Sequence, residues 1–515
     1  MLVSLPETTL EPVTEGVISE SVVSHYVAPK GSVSYADNLH NDTLGFLTSR
    51  RPLVSRNTPA ALPLSCVLYQ NPSGSQVIVW QEGTTIKYAT VIGGGSITSF
   101  AASSSANRNR YDIIQGKIIM TNDNVGQPKL FDTTVAPAVI AGTFFPGAAL
   151  NCDLISAGFN NRVWAAGSND ELCRLYYSDS IPSAGIASLT TQNPCLYFNI
   201  NANNGDKITG FARTQNVLYV FTHNGIYRVY NTQSVDNTPI ANVGAFSQEA
   251  IVKAKNGFYF YHPSGVYFIG SNGFPQEISV KIKDLIQKVT SLYQSSVFGW
   301  ADDDHVYFCL GNKLQGMQAD KTYYIRYTIS TQVWTTYSTM QFLPTCADSA
   351  FFASGVGITE DIYPTNYLLG TGTTTAGVAN TTYYGGTLNV YTPSTENSAV
   401  TPDWGTIPIQ VDMQTQWLNF DIEAHDKRIN GVAFPSENAA GLKVAYKIDN
   451  DTINQWRPFN GTSELSSKYI TLFRNFQSEK FNRIKFRVYG DTKGVQVKIG
   501  MPTLLSIDDL GFENN

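Results

Sequence analysis

Two copies of one pattern, forty residues apart, set what this chain can fold into. Asn216-Val-Leu-Tyr-Val-Phe-Thr-His-Asn-Gly225-Ile-Tyr227-Arg-Val-Tyr230 is followed by Asn256-Gly-Phe-Tyr-Phe-Tyr-His-Pro-Ser-Gly265-Val-Tyr267-Phe-Ile-Gly270, so Gly265 falls on Gly225 and Tyr267 on Tyr227. An aromatic and β-branched run, a polar stretch closed by Gly and a second such run read as a β-hairpin. This puts Gly225 and Gly265 at tight-turn positions that call for positive φ, which Gly reaches without a Cβ clash. A single hairpin is marginal in water, so a chain that repeats it has to stack the copies to bury their apolar faces.

Further hairpins flank the pair. Gln76 to Gln81 turns at Gly83 into Thr85 to Tyr88, Lys117 to Met120 returns as Lys129 to Phe131, and Asn161 to Ala165 turns at Gly167 into Leu172 to Tyr177. His305 to Phe308, Thr322 to Thr328 and Val333 to Thr336 make a sixth unit. Units starting about 40 to 55 residues apart match four-stranded propeller blades, and closing them into a ring removes most sheet edges. The expected fold is all-β: a β-propeller of about six or more blades with a short helix, an extended N-terminal arm and a C-terminal antiparallel β-domain. The expected division is 1–60 for the arm and platform segment, 61–400 for the propeller and 401–515 for the β-sheet domain.

The arm reading rests on Met1 to Pro29, which has four Glu, no Lys or Arg, prolines at 6, 12 and 29, and no sustained period. The helix comes from Ile278, Ile282, Leu285, Ile286 and Val289 at helical spacing, with Ser279 placed as its cap and Lys281, Lys283 and Lys288 on the other face. It packs on the outside of a blade or makes a contact between subunits. Gly370 to Gly377 reads as an irregular last blade or a long loop reaching a partner. Beyond Ile407 the strands alternate cleanly, apolar on one side and solvated on the other.

Charged residues are only 15% of the 515, against about a quarter in ordinary domains, and aromatics reach 12%. The net charge of -6 argues against a basic nucleic-acid binder as a whole. Six cysteines, none in a Cys-x-x-Cys or Cys-x-x-His, read as reduced thiols of a protein made in a cytoplasm. The sequence lacks the basic n-region of a secretory signal and any apolar run approaching about twenty residues, so no membrane-spanning segment is expected.

Catalytic and metal patterns are missing. The six His at 25, 40, 223, 262, 305 and 425 form no H-x-H or H-x-x-x-H pair, and no G-x-S-x-G, P-loop or dinucleotide fingerprint occurs. His223 and His262 read as polar turn residues. Asp302-Asp-Asp304, Asp449-Asn-Asp451, Ser178-Asp179 and Asp508-Asp509 are the carboxylates a propeller glycosidase would draw on, yet the S-x-D-x-G-x-T-W turn of sialidase-like propellers is absent. Asp449-Asn-Asp451 lacks the other ligands of a calcium loop and reads as a polar turn. No cofactor and no enzyme activity are expected.

Two basic features remain. Arg50, Arg51 and Arg56 cluster before the first hairpin, either solvated, paired with acids of a neighbour, or touching phosphate. In Lys480-Phe-Asn-Arg483-Ile-Lys485-Phe-Arg487, strand alternation puts Arg483, Lys485 and Arg487 on one face and Ile484, Phe486 and Val488 on the other. This basic ladder is a solvated or inter-subunit face, or a sequence-blind contact to DNA phosphates. It is local, because residues 401–515 hold 13 basic and 14 acidic residues.

The order Tyr177-Ser-Asp179, Tyr197-Phe198, Gly205-Asp-Lys-Ile-Thr-Gly210, the two hairpins with Gly244-Ala-Phe-Ser247 between them, and Glu277-Ile-Ser279 opening a helix resembles the β-propeller tail nozzle, tubular or packaged-DNA stabilisation proteins of short-tailed bacteriophages. Asp37-Asn38 and Thr48-Ser-Arg-Arg-Pro52 resemble the segment before the first blade there, although Leu53 stands where Gly commonly follows the Pro. The resemblance implies a non-enzymatic virion protein, assembled in the host bacterial cytoplasm as a ring of six copies below the portal and adaptor proteins. Tail fibre or needle proteins and passing duplex DNA, bound without sequence preference, would be its partners. Six copies at -6 sum to about -36, a charge that would let DNA slide where it faces the lumen. The competing expectations are a propeller-type module that binds a host receptor or glycan and, behind it, a glycoside hydrolase.

Overall fold

Strand pairing turns the repeat into blades. The computed structural model describes residues 3–5, 8–9, 14–19, 31–43, 46–50, 53–57, 59–70, 76–90, 97–102, 105–122, 128–132, 135–139, 152–168, 171–186, 189, 196–200, 205–340, 342–353, 362–373, 379–389, 409–418, 426–449, 455–459, 464–466, 470–473, 478, 480–492 and 496–511. Five four-stranded antiparallel meanders follow one another, beginning at Pro63–Gln70, Asn109–Ile114, Leu154–Ala157, Ile208–Arg213 and Ile251–Ala254. A sixth blade comprises Phe298–Ala301, His305–Gly311, Lys321–Thr328 and Val333–Met340. The seventh takes three strands from Phe342–Ala353, Ile362–Thr373 and Ala379–Asn389, and its fourth from Leu53–Asn57, ahead of blade one.

The first strand of each blade adjoins the first strand of the next, and Phe342–Ala353 of blade seven adjoins Pro63–Gln70 of blade one. The chain is therefore a closed seven-bladed β-propeller with a short helix and further β-structure, in which a strand from the start of the chain completes the last blade. Aromatic rings fill the wedges between blades. Phe221 and Phe260 meet edge to face at 5.2 Å, Tyr219 and Phe258 lie 6.0 Å apart, and Trp164 packs on Phe159, Tyr177 and Phe198. Trp80, Trp164, Phe221 and Phe260 are wholly buried, each worth about 2–3 kcal/mol relative to an exposed ring.

Blade six does not end at its fourth strand. Ser32–Asp37 adds to Val333–Met340 in parallel and pairs on its other side with Gln410–Thr415, followed by Ile484–Asp491, Lys443–Ile448 and Arg457–Pro458. One ten-stranded sheet thus runs from the propeller into a second body. An eight-stranded sheet, built of Val3–Leu5, Thr8–Thr9, Leu39–Thr43 and Phe46–Ser49 with Asp426–Glu437, Ile470–Phe473, Lys498–Gly500 and Thr503–Gly511, covers its end to make a sandwich. A single core cluster spans both bodies, holding Tyr259, Phe308 and Trp334 of the propeller together with Phe434, Phe459 and Phe486. The segment read as an arm supplies strands to both.

Two local expectations need correction. Gly225 and Gly265 do not have positive φ. The turn of the second hairpin is Pro263-Ser264, since His262 already pairs with Gly265, so Gly265 opens a strand. What requires a glycine there is space: a Cβ would lie 2.8 Å from both Glu277 Oε1 and Ser279 Oγ. Ser279 does not cap its helix with its side chain. Its Oγ accepts from Val266 N–H at 2.8 Å, tying the linker to blade five, and the helix is a 3-10 turn leading into Lys283–Gln287. Ile282, Leu285, Ile286 and Val289 are buried along it.

Candidate functional site

The ladder strand Ile484–Asp491 lies between Gln410–Thr415 and Lys443–Ile448. Ile484, Phe486 and Val488 are fully buried, which turns Arg483, Lys485 and Arg487 to the other face. Arg483 Nε donates to Asp449 Oδ2 at 3.2 Å and its guanidinium lies 5.9 Å from the Trp417 ring. Arg487 grips Asp412 with two bonds, 2.9 Å from Nε to Oδ1 and 2.7 Å from Nη2 to Oδ2, and stacks 4.5 Å over Tyr489. Burial opposes its charge, but Asp412 holds the Arg487 pKa above its ordinary value.

Lys485 stands directly across from Lys447. Like charges so placed repel, and the ring of Trp456 meets both, 5.8 Å from Lys485 Nζ and 6.0 Å from Lys447 Nζ. Trp417 adds a second ring 5.8 Å from Lys447. The result is a stripe of four cations interleaved with Trp417, Trp456 and Tyr489, with Asp412 and Asp449 as counter-charges. Trp456, Lys447 and Asp412 carry no sign of a site in the sequence, and Asp449, which reads there as part of a polar turn, joins the ladder because the strand register brings it to the same face.

The other basic feature is built differently. Arg50 is 3% exposed, and its Nε donates to Asn38 Oδ1 at 2.8 Å while Nη2 donates to Ser338 O at 3.0 Å. It ties the bridging strand region to blade six from inside. Arg51 lies outside the described residues, and of the Arg56 side chain nothing is described.

The ladder runs into a cleft of about 600 Å³ between propeller and sandwich. Its floor carries a second like-charged pair: Asp37 stands directly opposite Asp412 across adjacent strands. Lys321 Nζ donates to Asp37 Oδ2 at 3.3 Å and Ser338 Oγ donates to the same oxygen at 2.7 Å, whereas the buried Oδ1 has no hydrogen-bond partner. Burial pushes the Asp37 carboxyl up, against the pull of Lys321. Tyr35, beside both acids, is pushed up by burial and by their charge.

A third constellation occupies the axis of the ring. Arg110, on the first strand of blade two, pairs with Asp153 ahead of blade three and with Glu249 ahead of blade five, at 2.9 Å for Nε to Oε1. Arg108 lies 3.7 Å from Glu249 and reaches Thr345 O of blade seven at 3.4 Å, and Arg213 of blade four meets Asp112 at 3.3 Å. Blades that do not touch each other are thus joined through the centre. Burial raises the Glu249 carboxyl, but Arg110 and Arg108 outweigh it and hold the pKa at about 2.

The remaining candidates serve turns. Asp302 accepts from the N–H groups of Asp304 and His305, from Tyr307 OH at 3.1 Å, and sits 2.9 Å from His305 Nδ1. Asp449 accepts from the N–H groups of Asn482 and Arg483, and Asp451 lies outside the described residues. His223 and His262 flank the Phe246 ring at 4.9 and 5.8 Å. Among the described residues no group of three His, Cys, Asp or Glu is placed to hold a metal, and no helix is long and apolar enough to cross a membrane. Cys66, Cys152, Cys173, Cys309 and Cys346 are free thiols.

No protein-family model matches the chain, and no curated protein does. Solved structures similar to it include virginiamycin B lyase from Staphylococcus aureus, at 14% identity over 67% of this chain and 99% of that one, with a TM-score of 0.42. The extracellular domain of a putative one-component system from B. thetaiotaomicron shares 12% over 91% of this chain and 60% of that one, at 0.43. The Neurospora crassa Pan2 WD40 domain shares 8% over 66% and 96%, at 0.39. The seven-bladed ring rests on the strand pairing of this chain itself.

Proposed function

We propose that this propeller is a structural virion protein that forms the tail nozzle ring of a short-tailed bacteriophage, below the portal and adaptor. There it retains packaged DNA and, with its copies, forms the channel for ejection. The observation that supports this most is the stripe in which Lys447, Arg483 and Arg487 lie against the rings of Trp417 and Trp456. Lys447, Arg483 and Arg487 are only half-buried on that face, and a phosphate backbone met there would be bound without regard to sequence. The axis of the propeller is crossed by Arg110 and Glu249, so a duplex passes between copies of the chain and not through one. The continuous ten-stranded sheet joins propeller and sandwich through paired strands, which suits a subunit that packs in a ring of about six copies under an adaptor. Fibre or needle proteins would attach to the outer surface of that ring.

The test is the copy number of the chain in purified virions, by quantitative mass spectrometry against the portal subunit, with electron microscopy of antibody-labelled particles. Half as many copies as portal subunits, with label below the capsid vertex, is the expected result. Absence from the particle, or label only at fibre tips, would sink it.

A further inference from the structure

We infer that the cleft between propeller and sandwich binds a neutral, hydroxyl-rich ligand of the saccharide class. The space, about 600 Å³, lies within the roughly 300–1,000 Å³ of ordinary small-molecule sites. Its charges decide what fits. The lining carries three carboxyl groups, on Asp37, Asp284 and Asp412, and three cations, on Lys321, Lys485 and Arg487. That balance gives neither a divalent cation nor a polyanion a net attraction. Along the floor the charges alternate, Lys321 to Asp37 and then Asp412 to Arg487, so donors and acceptors stand side by side. Vicinal hydroxyls, each able to donate and accept at once, match that alternation.

Two further observations point to an occupant. Asp37 is 1% exposed, lines the cleft, and has an Oδ1 with no hydrogen-bond partner, an acceptor that a ligand hydroxyl satisfies. Tyr35 and Tyr489 are half-buried in the same lining, rings of the kind that pack on the apolar side of a pyranose. The site is independent of whether the chain forms a nozzle ring: it sits within one chain and is tested on isolated protein.

The full-length chain is screened on an array of neutral, sialylated and sulfated oligosaccharides beside two variants. Gln318 is exposed at the cleft, so Gln318→Trp fills the opening while leaving the buried contacts in place. Asp37→Asn keeps the shape but removes the acceptor charge. The expected result is binding of neutral hexopyranosides that falls at least about tenfold in both variants, with the melting temperature unchanged in Gln318→Trp. If Asp37→Asn melts early, Gln318→Trp alone decides. No neutral glycan bound, binding confined to sialylated or sulfated glycans, or undiminished binding by Gln318→Trp overturns the inference. So does a rise in melting temperature with calcium that Asp37→Asn abolishes, which would make the cleft a cation site.

Discussion

Arg110 and Glu249 meet across the centre of the ring at 2.9 Å, although one belongs to blade two and the other precedes blade five. The pair makes a stability statement. The Glu249 pKa falls from 4.5 to about 2 on folding, so its contribution is fully present above pH 4.5 and is lost as the pH drops towards 2. Asp112, raised by burial, acts in the opposite sense, because its protonation favours the folded chain. Glu249→Gln is expected to lower stability at pH 7 and to flatten its fall between pH 4.5 and about 2. Urea midpoints across that range check this; an unchanged profile would mean that the axial pair carries no net linkage.

Arg50 looks from sequence like a surface cation, and its burial makes a different prediction. Arg50→Ala removes two charged hydrogen bonds, to Asn38 and Ser338, at a cost of about 3 kcal/mol or more. Arg50→Lys, lacking the fork that spans both acceptors, restores little of it. Denaturant unfolding reads the loss directly. A variant of native stability with weaker DNA binding would place Arg50 in a phosphate contact instead.

The closing and bridging strands give a third expectation. A chain starting at residue 58 lacks both Leu53–Asn57, the last strand of blade seven, and Ser32–Asp37, which joins blade six to the sandwich. Ala379–Asn389 then becomes an open sheet edge, and open edges recruit other chains. The truncated protein is expected to run as aggregates in size-exclusion chromatography with light scattering. A monomeric product with an unaltered melting temperature would show that the strap is dispensable.

These elements also mark where sequence reading stops. The blades around Gly225 and Gly265 are legible because each is a local meander whose alternation and turns lie within about forty residues. The seventh blade is not, since its last strand comes from more than three hundred residues earlier in the chain, and no local pattern records that pairing. Residues 1–60 suggest an arm for the same reason: Ser32–Asp37 finds its partners at Thr336 and at Gln410–Thr415. The ladder was half legible. Alternation alone puts Arg483, Lys485 and Arg487 on one face, but the acids that pair with two of them and the Lys447 opposite the third come from other strands. The turn glycines show the converse limit, because a Gly chosen for space and one chosen for φ look alike in a sequence.

The stripe beside Trp456 yields the most discriminating prediction about nucleic acid. Arg483 and Arg487 are already matched by Asp449 and Asp412, so removing either costs an internal pair as well as any contact outside. Lys447 is different: it faces Lys485 and two indole rings, and its loss relieves a like-charge repulsion. Lys447→Ala is therefore expected to leave stability equal or slightly higher while weakening sequence-independent binding of duplex DNA. If Lys447 neutralises one phosphate, the slope of log affinity against log salt falls by about one unit in magnitude. Fluorescence anisotropy of a labelled duplex from low to moderate salt, on the full-length chain, measures both. An unchanged slope in Lys447→Ala would make the stripe a purely internal brace, in which the tryptophans shield two lysines from each other.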